Sequence, residues 1–418
     1  MKLHFSINSS TLRKGAFFLS ALVVAGNVGY RLGARAISQG TSKLPQVIVN
    51  QQTPATREVD FAPFWDIWSR LESRYIDKSK IDPQKMVYGA ISGMVASLED
   101  PYTVFLPPQQ NQEYKQDLNG TFEGIGAQLG AKDDKIVIVS PLKDHPAEKA
   151  GLKPGDWIVK VDGAETHTWT VPQAVAKIRG KRGSEVILTI AREGNEKTFD
   201  VSIKRDKITV KSVEVEVKSA EGECALTSCK VGYLKLSRFG DQTNDEWNSS
   251  IKELRSLWQK ENLRGLILDL RNNPGGYLQS AIYVASEFLQ NGVVVVQENS
   301  DGTKETYSVT RVGSMIGEPV MVLINKGSAS AAEIVAGALR DHGRAKMIGE
   351  TTFGKGSIQQ PEDLPDGSGI HITTARWILP NGEWIDKIGI KPDIEVKNPE
   401  GTDSADLQLN RAIEELIK

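Results

Sequence analysis

Cysteine is all but missing from this chain: two residues, Cys224 and Cys229, occur among 418. Two thiols with no histidine nearby cannot furnish the four ligands of a zinc site, so no metal is expected. Lying between two strand-like runs, they suit a small disulfide loop if the protein is exported and free thiols if it is not. Histidine is scarce too, five in all, and none of His4, His145, His167, His342 or His371 stands in a recognisable triad context. An excess of either charge is also lacking. The 51 basic and 53 acidic residues leave a formal charge of −2, which argues against a nucleic-acid binder. The longest basic cluster, Lys177 to Arg182, is broken by glycine. Nor is there a long hydrophobic run: the stretch Gly15 to Tyr30 falls short of the roughly 20 residues of a spanning helix, and Asn27 and Arg31 limit it further.

What that stretch does have is the layout of a secretory signal, with Lys2, Arg13 and Lys14 before it and small residues around Ala34 and Ala36 after it. Export to the periplasm or cell envelope is expected, with residues 1–36 either removed as a signal or kept as a membrane anchor. Residues 37–57 read as a linker. The length that remains exceeds one ordinary core and predicts more than one folded unit.

Residues 58–118 read as a helical region. Phe64, Ile67, Trp68, Leu71 and Tyr75 recur every three or four residues, as do Met86, Ile91, Met94 and Leu98. The stripe suits core packing or a dimer face, and the prolines of D-P-Y-T-V-F-L-P-P are expected to block further helix. From Gly120 to Arg205 the period changes to short alternating strands such as K-I-V-I-V and E-V-I-L-T-I. Gly124, Ile125 and Gly126 lie on a loop leading into a strand, where glycine lets backbone amides approach a ligand. Pro146 starts a helix that Gly151 stops. Together these runs resemble a PDZ domain, assigned to residues 119–206. The resemblance implies that the glycine loop captures a free C-terminal carboxylate while the peptide adds a strand to the sheet edge. Arg179 begins a basic turn that either is simply solvated or touches the neighbouring domain and senses ligand, which makes it a gating candidate.

Beyond Arg205, strands such as V-G-Y-L-K-L and G-L-I-L-D-L alternate with helix-like runs, the pattern of an α/β layer. Gly265 to Leu270 runs into R-N-N-P-G-G, and P-V-M-V-L-I-N-K stops at Gly327 before S-A-S-A-A-E opens a helix. A serine there lies beside unpaired amides and the positive end of the helix dipole. Ser328 and Ser330 both qualify, so one can cap the helix while the other reacts. A hydroxyl is a weak nucleophile and needs a base. Lys355, flanked by Gly354 and Gly356, is the candidate, because burial favours its neutral amine; Gln359 can hold that amine in place. Ser–Lys pairs are a known variant of triad logic. The same loop fits G-x-x-x-x-G-K over Gly349 to Lys355, yet Gly356 stands where a nucleotide loop needs serine or threonine, and a proline-broken strand follows instead of a helix.

The motifs R-N-N-P-G-G, G-S-A-S-A-A-E-I, T-F-G-K-G-S-I-Q and L-P-N-G-E-W-I-D-K-I-G-I-K-P-D, with the PDZ-like module ahead of them, resemble the C-terminal processing (tail-specific) serine peptidase family. The resemblance implies a multi-domain α/β chain: a crotonase-like ββα peptidase core with its C-terminal helix over residues 207–418, an inserted mostly-β PDZ domain and an N-terminal helical segment. It makes Ser330 the nucleophile, Lys355 the general base and Gln359 its orienter, with the backbone amides of Gly276 and Ala331 as the oxyanion hole and no cofactor. Expected partners are protein substrates with free C-terminal tails, an activating adaptor protein, and a second copy met through the N-terminal helices. The rival readings are a catalytically inactive PDZ scaffold and a hydrolase of small molecules, for which a PDZ module has no use.

Overall fold

The computed structural model describes residues 59–132, 135–220, 229–399 and 405–418. The expected signal or anchor, the linker and Cys224 lie outside the described residues. Among the described residues no helix is long and apolar enough to cross a membrane. Two compact units divide the chain, Met1–Ala90 and Ile91–Lys418.

In the first unit the helix Ala62–Arg74 carries the aromatic stripe. Trp68 is buried against the rings of Phe64 and Trp65, whereas Ile67, Leu71 and Tyr75 are exposed. Core packing therefore accounts for one member of the stripe and leaves most of its apolar face uncovered.

In the second unit the prolines after Leu106 begin a helix where the sequence suggested an end to helix. Pro108 is the first residue of Pro108–Leu118, a position where a missing N–H has no intrahelical partner to lose. The strand Thr121–Gly124 then pairs antiparallel with Asp206–Thr209, so the chain enters and leaves the β module side by side, as an insertion requires. Between them lies a six-stranded sheet, in which Ala127–Lys132, Lys135–Pro141, Trp157–Val161, Glu185–Ala191 and Phe199–Lys204 follow in that order and the short strand Ala164–Glu165 pairs with the third. The helix Val171–Ile178 closes the sheet over a core that includes Ile138, Leu188, Ile190 and Ala174.

The remainder is built on a six-stranded sheet ordered Val213–Ser219, Lys230–Leu236, Leu266–Asp269, Val320–Ile324, Lys346–Gly349 and Ile394–Glu395. Its first pair is antiparallel and the rest are parallel. Cys229, at the mouth of the antiparallel pair, is disulfide-bonded. Leu266, Ile267 and Leu268 are fully buried in succession, because a parallel sheet is covered on both faces. One face meets Trp247, Ile282 and Val335 from the helices Thr243–Glu261, Leu278–Ala285 and Ala331–Asp341. The other meets Ala412 and Ile413 of the C-terminal helix Leu407–Ile417. A second sheet, built on Gly369–Ile378 with Ser357–Asp363, Val104–Leu106, Val293–Asn299 and Lys304–Ser308, sends Val294, Val295 and Trp377 into the first of these cores. Arg271 locks the C-terminal helix onto the central sheet through ion pairs to Asp269 and Asp406 at 2.6 and 2.8 Å.

Candidate active site

The strands Leu266–Asp269 and Val320–Ile324 are parallel neighbours, so the loops leaving their C-terminal ends are brought together. Those loops carry R-N-N-P-G-G and N-K-G-S-A-S. Four hydrogen bonds stitch them: Ala329 N–H to Asn273 O at 2.9 Å, Ser328 Oγ to Leu270 O at 2.8 Å, Asn272 N–H to the Asn325 side chain at 2.9 Å, and the Asn325 amide to Asn272 Oδ1 at 3.0 Å. Ser328 is thereby buried and committed to structure, which leaves Ser330, of the two candidates, on the cavity wall. The side chain of buried Asn273 shapes the first loop, accepting from Gly275 N–H and donating to Leu236 O. Gly275 and Gly276 both have positive φ, and a Cβ on Gly275 would stand 2.8 Å from the Ser330 Cβ and 3.0 Å from the Ala331 nitrogen. Glycine is required there so that the loop can lie against the serine.

Ser330 is the N-cap of the helix Ala331–Asp341 and has φ 54°, ψ −116°, a conformation costly for a residue with a side chain. Neither the Ala331 nor the Gly276 amide has a protein acceptor among the described residues, and both residues line the same cavity as Ser330. Two free N–H groups beside a serine can stabilise a developing oxyanion.

Lys355 reaches the same cavity, of about 810 Å³, from the opposite loop. Burial pushes its amine below the ordinary lysine range, while the charges of Asp100 and Glu333 oppose the shift. The two loops are joined by Glu333, a fully buried carboxylate. One of its oxygens accepts from Thr352 Oγ1 and Gly354 N–H, each at 2.6 Å; the other accepts from Ser330 N–H at 2.8 Å and Lys355 N–H at 3.0 Å. Burial raises its pKa and these four bonds act against that rise. The nucleophile candidate and the base candidate thus hang on one side chain.

Gln359 also lines the cavity, but its amide donates to Ser357 and Thr373 hydroxyls at 2.9 and 3.0 Å, and the Lys355 amine lies instead over the ring of Tyr102. His371, read in the sequence as a strand residue without a triad, is buried in the same cavity against Tyr114, with ring centroids 4.4 Å apart. Burial and the Lys355 charge hold its pKa below the usual histidine value. Glu333, Asn273, Tyr102 and His371 were all missed as site residues. For Glu333 a signal existed, since serine followed three residues later by glutamate is the pattern of a capping box. The others are brought in by strand pairing and by contacts between loops, which leave no local mark.

In the β module, Gly124 ends a strand and Ala127 begins the next, leaving Ile125 and Gly126 between them. The N–H groups of Ile125 and Gly126 have no protein acceptor among the described residues. Gly126 has φ 73°, and a Cβ there would stand 2.5 Å from that of His145. Arg179 caps the helix Val171–Ile178, stacks 4.7 Å over the Phe122 ring and faces Asp117 of the helix Pro108–Leu118 at 3.7 Å.

Comparison with known proteins adds the following. Residues 230–396 match Peptidase family S41, residues 124–203 match a PDZ domain, and residues 23–109 match the N-terminal domain of the activating protease CtpB. The carboxy-terminal processing protease CtpB of Bacillus subtilis is 36% identical over 401 residues, covering 95% of this chain and 80% of that one. CtpA of the same organism, also a carboxy-terminal processing protease, is 39% identical over 354 residues, covering 84% and 72%. A solved structure from Bacteroides fragilis described as an S41 protease is 18% identical, covers 88% of this chain and 99% of that one with a TM-score of 0.56, and bears on the fold alone.

Proposed function

The chain belongs to the S41 peptidases and is a serine-type carboxy-terminal processing protease with a PDZ domain, and from this premise we propose that Ser330 and Lys355 are its catalytic pair and that the PDZ domain recognises the free C-terminal tails of its protein substrates. The observation that carries the reading is the convergence on one cavity of a serine with unbonded amides beside it and a lysine whose burial favours the neutral amine. In this mechanism Lys355 Nζ takes the proton of Ser330 Oγ as the oxygen adds to the scissile carbonyl. The amides of Gly276 and Ala331 hold the oxyanion. The lysine returns its proton to the leaving amine, and water, deprotonated in the same way, releases the acyl group. Gln359 acts through the hydroxyls of Ser357 and Thr373, shaping the wall beside the base.

The free amides of Ile125 and Gly126 support capture of a terminal carboxylate. The contact of Arg179 with Asp117 supports a link between tail binding and the catalytic unit. On this reading the enzyme works outside the cytoplasm, on the strength of its N-terminal layout, and the uncovered face of Ile67, Leu71 and Tyr75 seats a second copy or an activating partner. The deciding experiment is digestion of an unfolded reporter with a free or an amidated apolar C-terminus by wild type, Ser330→Ala and Lys355→Ala. Cleavage by wild type alone, with the free tail preferred, is expected. Near-full activity of Lys355→Ala would remove the pair, and indifference to amidation would remove the tail.

A further inference from the structure

The Lys355 amine faces an aromatic ring in the cavity it shares with Ser330. Its Nζ lies 5.0 Å from the centre of the Tyr102 ring, within the range at which a cation is attracted to an aromatic face. No hydrogen bond joins it to Ser330 Oγ among the described residues. Building on the assignment of Lys355 as the base, we propose that Tyr102 is a positioning residue whose ring is the resting seat of the lysine amine, which swings to Ser330 when substrate enters.

The backbone is anchored at both ends of this contact. The Lys355 backbone is pinned on each side. Gly354 and Lys355 N–H groups donate to Glu333, Gly354 O accepts from Lys387 N–H at 2.8 Å, and Gly356 O accepts from Trp377 N–H at 3.1 Å and Trp384 Nε1 at 2.9 Å. Gly354 and Gly356 pack so closely on the segment 384–389 that a Cβ on either would collide with it. The Tyr102 backbone is held too. Its N–H donates to Asp100 Oδ1 at 3.0 Å, Thr103 Oγ1 donates to Asp100 Oδ2 at 2.7 Å, and Thr373 N–H donates to Thr103 Oγ1 at 3.0 Å. The strand Val104–Leu106 then pairs with residues 369–371. With both backbones held, the amine and the ring can part only by side-chain rotation.

The seat has a chemical consequence. A π face favours the ammonium over the neutral amine, so the seat works against the deprotonation that burial promotes and delays activation of the serine. The other charges facing this amine are Asp100 and Glu333, which also favour the ammonium, and His371, whose protonation the amine opposes; Asp386 lies toward the Tyr102 hydroxyl. Leucine at position 102 keeps apolar bulk over the lysine but has no π face.

The test is the pH dependence of kcat and KM for the free-tailed reporter. For Tyr102→Leu the rise of kcat/KM with pH is expected about 0.5 to 1 pH unit lower than in wild type. Below the wild-type midpoint that makes the variant roughly threefold to tenfold faster, with KM little changed. Tyr102→Phe, which keeps the ring, is expected to keep the wild-type profile. Covalent labelling of Ser330 by a fluorophosphonate without substrate is expected to quicken in Tyr102→Leu alone. If Tyr102→Leu does not fold, Tyr102→Met makes the same comparison. An unmoved profile in Tyr102→Leu overturns the seat, and so does an equal shift in Tyr102→Phe, which would implicate the hydroxyl. Lys355→Ala, measured alongside, separates the two inferences. Activity surviving there overturns the base assignment and the seat with it; a silent Lys355→Ala with an unmoved Tyr102→Leu profile overturns the seat alone.

Discussion

Gly275→Ala adds one methyl group where the two loops of the candidate active site meet, and its effect can be worked from the geometry. The new Cβ would lie 2.8 Å from the Ser330 Cβ, 2.9 Å from Ala329 O and 3.0 Å from the Ala331 nitrogen, on a backbone with φ +99°. The backbone conformation alone costs an alanine about 1–3 kcal/mol, and overpacking adds about 1–3 kcal/mol. Relief has to come from the loops that carry Ser330 and the amides of Gly276 and Ala331, the proposed nucleophile and oxyanion hole. A misplacement of about 1 Å costs on the order of a hundredfold in rate, so a shift of a few tenths of an ångström is expected to lower kcat about tenfold to a hundredfold. Gly302→Ala is the matched control, with φ +82° but no atom within 4 Å of the added Cβ. It carries only the backbone cost, about 1–2 kcal/mol, and leaves activity intact. Urea unfolding and reporter cleavage on both variants measure the two effects. If Gly275→Ala keeps kcat within about twofold of wild type, or loses no more stability than Gly302→Ala, the claim that glycine is needed there for contact with the serine is wrong.

Further outcomes follow from the same geometry. Thr352→Val removes the donor to Glu333 and strands Ile390 N–H, which the threonine hydroxyl accepts at 2.7 Å; a loss of about 1–3 kcal/mol in urea unfolding is expected, together with reduced kcat. Gly126→Ala should weaken binding of a free-tailed peptide at least about tenfold by calorimetry while an isolated active-site probe still labels Ser330, since the collision is with His145 in the PDZ domain. Burial would raise the pKa of Asp406, but hydrogen bonds from Arg271 and Asn398 bring it down to about 2. A carboxylate depressed in the folded state stabilises fully above its unfolded value, near 3.9, and that stability is lost as pH falls through the folded value. Hydrogen exchange in Leu407–Ile417 should therefore quicken between about pH 4 and pH 2. Arg271→Met should release the same helix at neutral pH, at a cost of about 3–5 kcal/mol, because Asp269 is left buried without its partner.

The sequence by itself determined the order of domains, the alternation of strand and helix, and the small set of loops able to hold a nucleophile and a base. These are local properties: the periodicity of Leu266–Asp269 and Val320–Ile324, the glycines after each strand, and the serine at a helix start are set by backbone geometry over a few residues. Tertiary structure decided the rest. It buried the Ser328 hydroxyl on Leu270 O and left Ser330 on the cavity wall. It turned the amide of Gln359 to Ser357 and Thr373, brought His371 and Tyr102 to the cavity through the pairing of Val104–Leu106 with residues 369–371, and hung the loops of Ser330 and Lys355 on Glu333. It also left the aromatic stripe of the first helix largely uncovered, where helical periodicity alone marks an apolar face and says nothing about what lies against it. The walls of this cavity come from segments far apart in the chain. Which of them meet is settled by sheet order and register, and periodicity within a segment carries no record of either.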